Sequence, residues 1–483
     1  MTTRERQPLL TRDDAMLLHR LLEHPRAPRW NHACGDRLDA AGLERLLAFE
    51  ERLRRAPGAA GQPGGDQAPP WALAFAGECL RRVPFHRARA ETAAVPPPRD
   101  AAAFASLPTC DRGDLNRAFA AFVPDGEPLD ELIVYETSGT TGHPVTILSH
   151  PFVSNCYLPL LRAALAVRGV PLEGGPGRVA IALVCAQSFT YTYASVSAYL
   201  GGAGFVKLNL NPLDWRDPAD RAAFLDDCAP EVLSGDPLSF LALARLPLRH
   251  RPRALVSTSL ALAPGFAREL ESRFGCPVLD LYSLNECRLV AAAAAPGAPA
   301  GREHRLVPHD VHLEVLDAAG RPVAAGERGE ITLTCGRNPF LPLLRYRTGD
   351  YARLVPTAAG TALAELEGRA PVVFLDAQGR AVNSVDVSYL LKPFPLARYA
   401  LHQARDRSLR LRLQGFAVDR GLVRAVLTKC FGGLPLEIGD LESPPGASAK
   451  LAPYTTEIPD GWRDAEPGFR AFTFRELMHP AGP

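Results

Sequence analysis

The sequence contains little lysine, no close pairs of cysteines and no long apolar run. Arginine supplies nearly all of the positive charge, because only four of the 54 basic residues are lysines. The 53 acidic residues leave a net charge of +1, which argues against a general attraction to nucleic acid or anionic lipid. No run approaches the length of about 18 apolar residues that a membrane-spanning helix needs, so none is predicted.

The ten cysteines lie far apart and form no C-x-x-C pair, which fits free thiols in a reducing cytoplasm better than a disulfide framework. The N-terminal residues 1–7 are polar and carry no apolar stretch of the signal-peptide kind. With 47% hydrophobic and 22% charged residues, the composition is typical of a globular protein. We therefore expect a cytoplasmic protein with a sizeable core.

A chain of 483 residues is too long for one compact core, so two or more domains are expected. Residues 1–130 are predicted to be mainly helical, and strand-like and helix-like segments alternate over 131–310. This alternation predicts an α/β fold, with a parallel sheet covered by helices on both faces. Residues 311–367 are predicted to form a β-rich subdomain that completes a large domain, 1–367. The remaining residues, 368–483, are predicted to form a smaller α+β domain.

Individual segments follow from hydrophobic periodicity. Apolar residues at helical spacing predict helices over 38–55 and 264–274. The nearly all-apolar run 179–185 is typical of a buried parallel strand. We predict a helix over 195–203 after it, and the next strand over 205–210.

Residues Thr137–Pro144 read T-S-G-T-T-G-H-P and directly follow an apolar run. Small hydroxyl residues and glycines let backbone N–H groups approach an anion closely, so the loop is typical of a phosphate-binding segment. It is not a Walker A loop, because His143 stands where that motif needs a lysine. An ordinary Ser/Thr/Gly turn is the alternative when the octapeptide is considered alone.

Three further motifs follow in order: L-Y-S-L-N-E at 281–286, L-R-Y-R-T-G-D at 344–350 and E-G-R at 367–369. Together with the loop at 137–144 they resemble the adenylate-forming (ANL) ligases, most closely the phenylacetate–coenzyme A ligase branch. One such motif would be a weak signal, whereas four in the same order are specific. The resemblance covers roughly residues 70–390.

The resemblance implies a two-step reaction that uses ATP and Mg²⁺. A carboxylate attacks the α-phosphate of ATP, pyrophosphate leaves, and the acyl-adenylate then reacts with a thiol or an amine. Coenzyme A would be the acceptor in the branch that fits best. Because an anion must approach a polyanion, such a site works by neutralising charge and by positioning the reactants. The C-terminal domain would close over the site as a mobile lid.

The resemblance also implies roles for individual residues. Tyr282 would stack on adenine with Asn285 beside the nucleotide, and Glu286 would be a catalytic residue that binds Mg²⁺. Asp350 would accept hydrogen bonds from both ribose hydroxyls, since a carboxylate can take two donors side by side. Arg369 would contact the ribose or a phosphate near the hinge. The β- and γ-phosphates would be held by the loop residues Thr137, Ser138, Gly139, Thr140, Thr141 and Gly142, with Thr140 also counted as catalytic.

Several positions depart from the family pattern. His143 and Val145 stand where relatives usually carry Lys or Arg, so the loop offers less positive charge to the leaving pyrophosphate. Ala370-Pro371 replaces an acidic pair, and the proline would stiffen the pivot used for domain rotation. These departures keep two alternatives open. The first is transfer of the acyl group to an amine or a carrier-protein thiol, and the second is a degenerate relative that binds nucleotide or acyl ligand without turnover.

Lys450 is the candidate for the catalytic lysine. In a chain where arginine is the default, a lysine can mark a place that needs a compact ammonium group on a flexible stem. Lys450 follows G-A-S-A near the C-terminus, and the resembled ligases carry at a comparable place a lysine that bridges the substrate carboxylate and the α-phosphate. A solvated surface lysine is the alternative.

Aromatic residues alternate at Phe189, Tyr191 and Tyr193, in the region that lines the acyl site of the resembled branch. Aromatic walls suit a flat, partly apolar ligand, so we predict an aromatic or arylalkyl carboxylic acid as the substrate. Ordinary core packing would explain one or two of these residues equally well. Ser259 and Ser283 are assigned to the substrate side of the site.

Cys287, His304 and His309 form a loose group whose irregular spacing and missing fourth ligand argue against a structural zinc site. The predicted partners are a small carboxylic acid and an acceptor, with no nucleic acid and no membrane. A homodimer is left open.

Overall fold

A computed structural model describes residues 1–55, 68–136, 145–259, 262, 264–293, 303–307, 310–324, 326–357, 360–367, 372–391, 394, 396–415, 418–441, 454–458 and 465–466. Within these ranges, every helix is too short or too polar to span a bilayer. All ten cysteines are described, and each is a free thiol.

The helices are α1 (Thr3–Arg6), α2 (Arg12–Leu22), α3 (Ala40–Arg55), α4 (Pro70–Arg82), α5 (Pro84–Thr92), α6 (Ala101–Ala105), α7 (Arg112–Ala118), α8 (Pro151–Val167), α9 (Asp220–Cys228), α10 (Pro237–Ala244), α11 (Pro264–Phe274), α12 (Ser384–Leu391) and α13 (Arg420–Phe431), with short 3-10 turns at Phe119–Phe122 and Pro212–Asp214. The strands are β1 (Cys110–Asp111), β2 (Ile133–Glu136), β3 (Thr146–Ser149), β4 (Val179–Cys185), β5 (Tyr193–Ser197), β6 (Ala203–Asn209), β7 (Val232–Gly235), β8 (Ala254–Ser257), β9 (Val278–Leu284), β10 (Arg288–Ala293), β11 (His304–Leu306), β12 (Val311–Leu316), β13 (Arg328–Cys335), β14 (Leu343–Thr357), β15 (Gly360–Glu367), β16 (Val373–Leu375), β17 (Ala381–Asn383), β18 (Leu396–Gln403), β19 (Leu409–Gly415), β20 (Leu436–Asp440) and β21 (Tyr454–Thr456).

A large mixed sheet organises the described part of the chain in the order β12-β13-β14-β15-β11-β10-β9-β8-β7-β4-β6-β5. Strands β6, β4, β7, β8 and β9 pair in parallel, as the alternation of strands and helices predicted. Strand β9 pairs antiparallel with β10 on its other edge, and β10 to β15 continue as antiparallel pairs. The predicted α/β fold is confirmed, and β9 is the junction between the two halves of the sheet.

The helix predicted over 195–203 is wrong. Residues Tyr193–Ser197 form β5, which pairs antiparallel with β6, and a turn follows before Ala203. Gly202 in that turn has a φ of +80°, and a Cβ there would meet the Asp14 carboxylate at 1.9 Å. The turn therefore requires glycine, and it returns the chain into the sheet where a helix would have continued.

Helices cover both faces of the parallel half. On one face, Ile181 and Leu279 pack into a core cluster with α3 and α8. On the other face, Leu233, Leu255 and Phe240 belong to a second cluster, which also contains residues of α2, α9 and α11. This arrangement explains why the central strands are apolar on both sides, since each side chain enters one core or the other.

Helix α8 begins at Pro151, which has no N–H to leave unpaired in the first turn. The preceding His150 accepts the backbone N–H of Phe152 on Nδ1 at 3.0 Å and so caps the helix. Buried residues such as Leu160 and Leu161 anchor the helix against the sheet. Its first turns thereby place Ser154 on the wall of the cavity described below.

The C-terminal segment forms its own sheet in the order β20-β19-β18-β21, with Phe374, Leu411 and Phe431 in a separate core cluster shared with α12 and α13. Contacts with the preceding part include Asp386 of α12, whose carboxylate accepts the backbone N–H and the hydroxyl of Ser188 at 2.8 and 3.1 Å. The predicted domain limits remain predictions, because the residues around the expected hinge at 368–371 lie outside the described ranges.

Candidate active site

One cavity of about 1500 Å³ gathers residues from two of the four sequence motifs. Tyr282, Ser283, Asn285 and Glu286 line it from the end of β9, and Asp350 lines it from β14. Open α/β sheets bind ligands beyond the carboxyl ends of their parallel strands, which is where β9 ends. Residues about 70 positions apart in sequence therefore face the same space.

Strand β9 presents different side chains to its two faces. Leu279 and Leu281 belong to the cluster that contains α8, whereas Tyr282 belongs to the cluster around the antiparallel half. Alternate residues of a strand point to opposite faces, so one short strand contributes to two compartments. By the same alternation, the side chain of Ser283 lies on the same face of the strand as that of Leu281.

Tyr282 and Asp350 form a direct hydrogen bond. The Tyr282 hydroxyl donates to Asp350 Oδ2 at 2.9 Å, and the Tyr282 side chain is 8% exposed. Burial raises the pKa of Tyr282 well above its usual value, and the charge of Asp350 adds to this effect. Tyr282 is therefore a stable donor at neutral pH, and it fixes the carboxylate in the cavity wall.

Asp350 follows a constrained turn. Gly349 has a φ of +82°, a conformation that other residues rarely adopt, and its N–H donates to Glu330 Oε1 at 2.9 Å. The hydroxyl of Thr348 accepts the N–H of Asp350 at 3.1 Å and donates to the carbonyl of Ile331 at 2.9 Å. The T-G-D triplet thus acts as one unit that orients the carboxylate.

Glu286 is 5% exposed, and its Oε1 accepts a hydrogen bond from the Tyr346 hydroxyl at 2.9 Å. Tyr346 belongs to the same motif as Asp350, so that motif supports both acidic residues. Burial raises the pKa of Tyr346 well above its usual value, with the Glu286 charge as the next cause. The second oxygen of Glu286 accepts no hydrogen bond from the described residues.

Asn285 and Ser259 also lie on the cavity wall. The carbonyl of Asn285 accepts the hydroxyl of Tyr135 at 3.0 Å, which ties the end of β9 to β2. Ser259 has a φ of +71°, an uncommon conformation for a residue with a side chain. Both residues line the cavity, as the sequence analysis expects of residues near the ligands, and their roles remain predictions.

Two of the three aromatic residues predicted for the acyl pocket line this cavity. Tyr191 and Tyr193 do so, and the ring of His32 lies 4.7 Å from that of Tyr191. Phe189 requires a correction, because it packs against the core cluster of the C-terminal segment and contacts the Tyr191 ring at 5.8 Å. The chain turns between 189 and 191, so a simple alternation does not carry all three rings to one side.

Lys207, His32 and Arg288 line the cavity but were not predicted from the sequence. Arg288 donates from Nη2 to Ser154 Oγ at 3.1 Å, and its buried Nε has no hydrogen-bond partner among the residues that the structure describes. Lys207 could have been found, because it is a rare lysine inside an otherwise apolar strand. His32 comes from an N-terminal segment whose approach to the sheet no local pattern reveals.

The remaining predicted residues lie outside the described ranges. They are Thr137, Ser138, Gly139, Thr140, Thr141, Gly142, His143, Arg369 and Lys450, together with His309 of the loose Cys/His group. The other two members of that group do not approach each other as ligands. His304 Nε2 lies 3.3 Å from Asp280 Oδ2, and Cys287 interacts with Cys335.

The chain belongs to the AMP-binding enzyme family, whose pattern matches residues 88–338. This membership confirms the resemblance to the adenylate-forming ligases. Among characterised proteins, the chain is similar to the phenylacetate-coenzyme A ligase of Escherichia coli (strain K12), with 26% identity over 60% of this chain and 66% of that ligase. It is 24% identical to the phenylacetate-coenzyme A ligase of Aromatoleum evansii over 62% of this chain and 68% of that protein. The similarity thus spans about two thirds of the length of these relatives.

A solved structure supports the fold. The crystal structure of 2-hydroxyisobutyryl-CoA ligase in complex with 2-HIB-AMP and CoA matches with a TM-score of 0.50 and 19% identity, over 87% of this chain and 91% of that chain. At that identity the similarity concerns the fold alone.

Proposed function

We propose that this protein is an ATP- and Mg²⁺-dependent ligase that activates a carboxylic acid as an acyl-adenylate and transfers the acyl group to coenzyme A. The observation that carries the proposal is the convergence of Glu286, Tyr282 and Asp350 on one cavity. Membership of the AMP-binding enzyme family and the two phenylacetate-coenzyme A ligase relatives support it.

In this proposal the ribose of ATP lies at Asp350. The Asp350 carboxylate is fixed by the Tyr282 hydroxyl at 2.9 Å and by the T-G-D turn, so this carboxylate is oriented before the nucleotide binds. Binding to a preorganised acceptor loses less conformational entropy than binding to a side chain that must first be ordered. The adenine would then lie against the Tyr282 side of β9, and the phosphates would point toward the glycine-rich loop at 137–144.

Glu286 is suited to be a ligand of Mg²⁺. Mg²⁺ is usually held by one or two carboxylates together with waters and substrate phosphates, so it does not need an all-protein cage. Within the described ranges no group of three or more His, Cys, Asp or Glu side chains is arranged to hold a metal. Glu286 offers a buried carboxylate that Tyr346 orients through one oxygen. A bound Mg²⁺ would supply the charge neutralisation that the phosphates need.

The acid would occupy the part of the cavity between α8 and the sheet. The residues that line the cavity include Tyr157 and Leu158 of α8, Leu183 and Phe205 of the sheet, and Tyr191 and Tyr193. Such walls suit an aromatic or arylalkyl acid. The C-terminal segment after 367 would close over the site between the two half-reactions.

The test is acid-dependent exchange of labelled pyrophosphate into ATP over aryl, arylacetic, amino and short aliphatic acids. We expect exchange with at least one aromatic acid, and faster release of product when coenzyme A is added. Glu286→Gln keeps the shape of the side chain but removes its charge, so exchange should fall by two or more orders of magnitude, the scale typical of losing a charge-stabilising group. The exposed Asp13→Asn is the matched control and should exchange normally.

The outcomes separate the alternatives. Exchange without any effect of coenzyme A would contradict the acceptor and favour an amine or a carrier-protein thiol. ATP binding without exchange for any acid would refute the ligase function and leave a protein that binds nucleotide without turnover.

A further inference from the structure

Lys207 places an ammonium group on the sheet face that lines the cavity. Lys207 is at the centre of β6, opposite Leu183 on β4 and opposite Tyr193 on β5. Directly paired residues of neighbouring strands point to the same face. Phe205, two positions earlier, shares this face, and all four side chains line the cavity. Lys207 is thus the charged residue of this group, and Ser195 and Ser234 add hydroxyl groups to the same face of the cavity.

No carboxylate among the described residues pairs with Lys207. Asp36 lines the same wall, but its oxygens accept the backbone N–H groups of Leu38 and Ala198 at 3.1 and 2.8 Å. Burial lowers the pKa of His32, and the positive charges of Lys207 and Arg6 lower it further, so both cations lie close enough to act on this ring.

A half-buried ammonium without a counter-ion is costly, and a neutral ligand that displaced its water would raise this cost. An anionic ligand group would instead form a charge-assisted hydrogen bond with it. Lys is also the unusual choice in this chain, where 50 of 54 basic residues are arginines. A flexible stem with a compact charge suits an end-on contact with a single anionic group.

The ammonium lies far from the reacting end. Strand β6 is separated from β9 by four inter-strand steps in the sheet order, which at about 4.8 Å each amount to about 19 Å. The carboxylate to be adenylated must approach the nucleotide beyond the end of β9. A group that meets Lys207 must therefore be at the opposite end of the acid.

The rings around Lys207 form an aromatic wall. Tyr193 and Phe205 are stacked with ring centroids 6.3 Å apart, and His32 lies beside both Tyr191 and Tyr193. A wall of aromatic side chains favours a planar ligand body.

On the basis of the proposed function, we propose that the acid is an aromatic dicarboxylate, and that Lys207 binds its second carboxylate at the end remote from the adenylated one. Lys207 is then a residue that determines specificity. It takes no part in the transfer itself, so its loss should affect the choice of acid and not the chemistry of activation.

The experiment compares matched acids in the pyrophosphate exchange assay. The test acids have two rings, because a one-ring dicarboxylate of about 7 Å and a lysine stem of about 6 Å would not together bridge a separation of about 19 Å. The first set is biphenyl-4-acetate, 4'-carboxybiphenyl-4-acetate and its neutral amide 4'-carbamoylbiphenyl-4-acetate. The second set is biphenyl-4-carboxylate, biphenyl-4,4'-dicarboxylate and its monoamide. In the unaltered protein, the dicarboxylate of at least one set should have a KM lower than that of its amide by about tenfold or more, the scale of one hydrogen bond between charged groups. The kcat values should be similar.

Three variants locate the effect. Lys207→Met should abolish the difference in KM between dicarboxylate and amide while preserving kcat for the monoacid. Lys207→Arg should retain the preference. Lys429→Met, at an exposed position of α13, should behave as the unaltered protein. Should Lys207→Met fail to fold, Lys207→Glu paired with 4'-(aminomethyl)biphenyl-4-acetate tests the same contact with reversed charges, and that acid should become the preferred one.

The inference and the proposed function fail in different ways. Exchange with monoacids, but with equal KM for dicarboxylate and amide and no change in Lys207→Met, would overturn the role of Lys207 and leave the ligase function intact. A preference for a neutral or hydroxyl-bearing acid would also overturn it. No exchange with any acid would refute the ligase function itself.

Discussion

Asp386 provides the sharpest test of the physical reasoning, because its carboxyl group is buried between two parts of the chain. It lies on α12, and both of its oxygens accept hydrogen bonds from Ser188, which precedes the aromatic wall of the cavity. Burial raises the pKa of Asp386 from 3.8 to about 7, although the hydrogen bonds from Ser188 oppose this shift. We predict that Asp386→Asn stabilises the protein at alkaline pH.

The sign follows from proton linkage. A carboxyl whose pKa is higher in the folded state binds its proton more tightly there, so its favourable contribution is complete below about pH 4 and is lost as the pH rises through 7. A change from 3.8 to about 7 corresponds to about 4 kcal/mol between the protonation states. Asparagine keeps the shape and never ionises; its oxygen can accept the Ser188 backbone N–H, and its amide N–H can donate to the Ser188 hydroxyl. The free energy of unfolding of Asp386→Asn, relative to that of the unaltered protein, should therefore increase by about 2–3 kcal/mol between pH 5 and pH 8.

The assay is urea unfolding followed by circular dichroism at pH 5, 6.5 and 8. Asp13→Asn removes an exposed carboxylate from the first turn of α2 and serves as the control, with an expected difference that changes little with pH. The reasoning would be refuted if the difference in free energy of unfolding between Asp386→Asn and the unaltered protein stayed constant from pH 5 to pH 8. It would mean that water reaches this carboxyl group in the folded protein.

Three further predictions follow from the site and its support. Asp350→Ala should weaken ATP binding at least tenfold, since it removes hydrogen bonds to a charged acceptor worth about 1.5–3 kcal/mol each; unchanged affinity in calorimetry would exclude the ribose role. Arg345→Met should destabilise the protein by about 3–5 kcal/mol, because the buried carboxylate of Glu314, paired with it at 3.0 Å, would lose this counter-charge. Arg321→Met at an exposed ion pair is its control and should cost less than about 1 kcal/mol in the same unfolding assay. Lys450→Ala should reduce pyrophosphate exchange by about two to three orders of magnitude, and normal exchange would assign this lysine to the surface.

Local patterns were sufficient for much of the fold. The helices at Ala40–Arg55 and Pro264–Phe274 have an apolar face at helical spacing, and the structure has both. The strand over Val179–Cys185 was predictable because a strand buried on both faces is apolar throughout. The failure at 195–203 has a physical cause. The composition of a short apolar segment is compatible with a strand and with a helix. Here the pairing of β5 with β6 makes the segment a strand.

The site was predictable where a motif is contiguous. Tyr282, Glu286 and Asp350 face one cavity, as expected from the end of β9 and the T-G-D turn. Lys207 could be noticed as a rare lysine, but its place in the cavity depends on strand order, and the place of His32 depends on the path of the N-terminal segment. Phe189 shows the same limitation, since its partners belong to a segment about 200 residues further along.

The division of β9 between two faces has a consequence for how this protein can evolve. In the proposed function, odd-numbered positions such as Leu281 would face the acid, and even-numbered ones such as Tyr282 would face the nucleotide. Substitutions on one side can therefore accumulate, and alter which acids are accepted, while the other side is conserved. An insertion or deletion of one residue within Val278–Leu284 would exchange the two sides at once. Homologues should consequently vary in side chain along this strand but hardly ever in length.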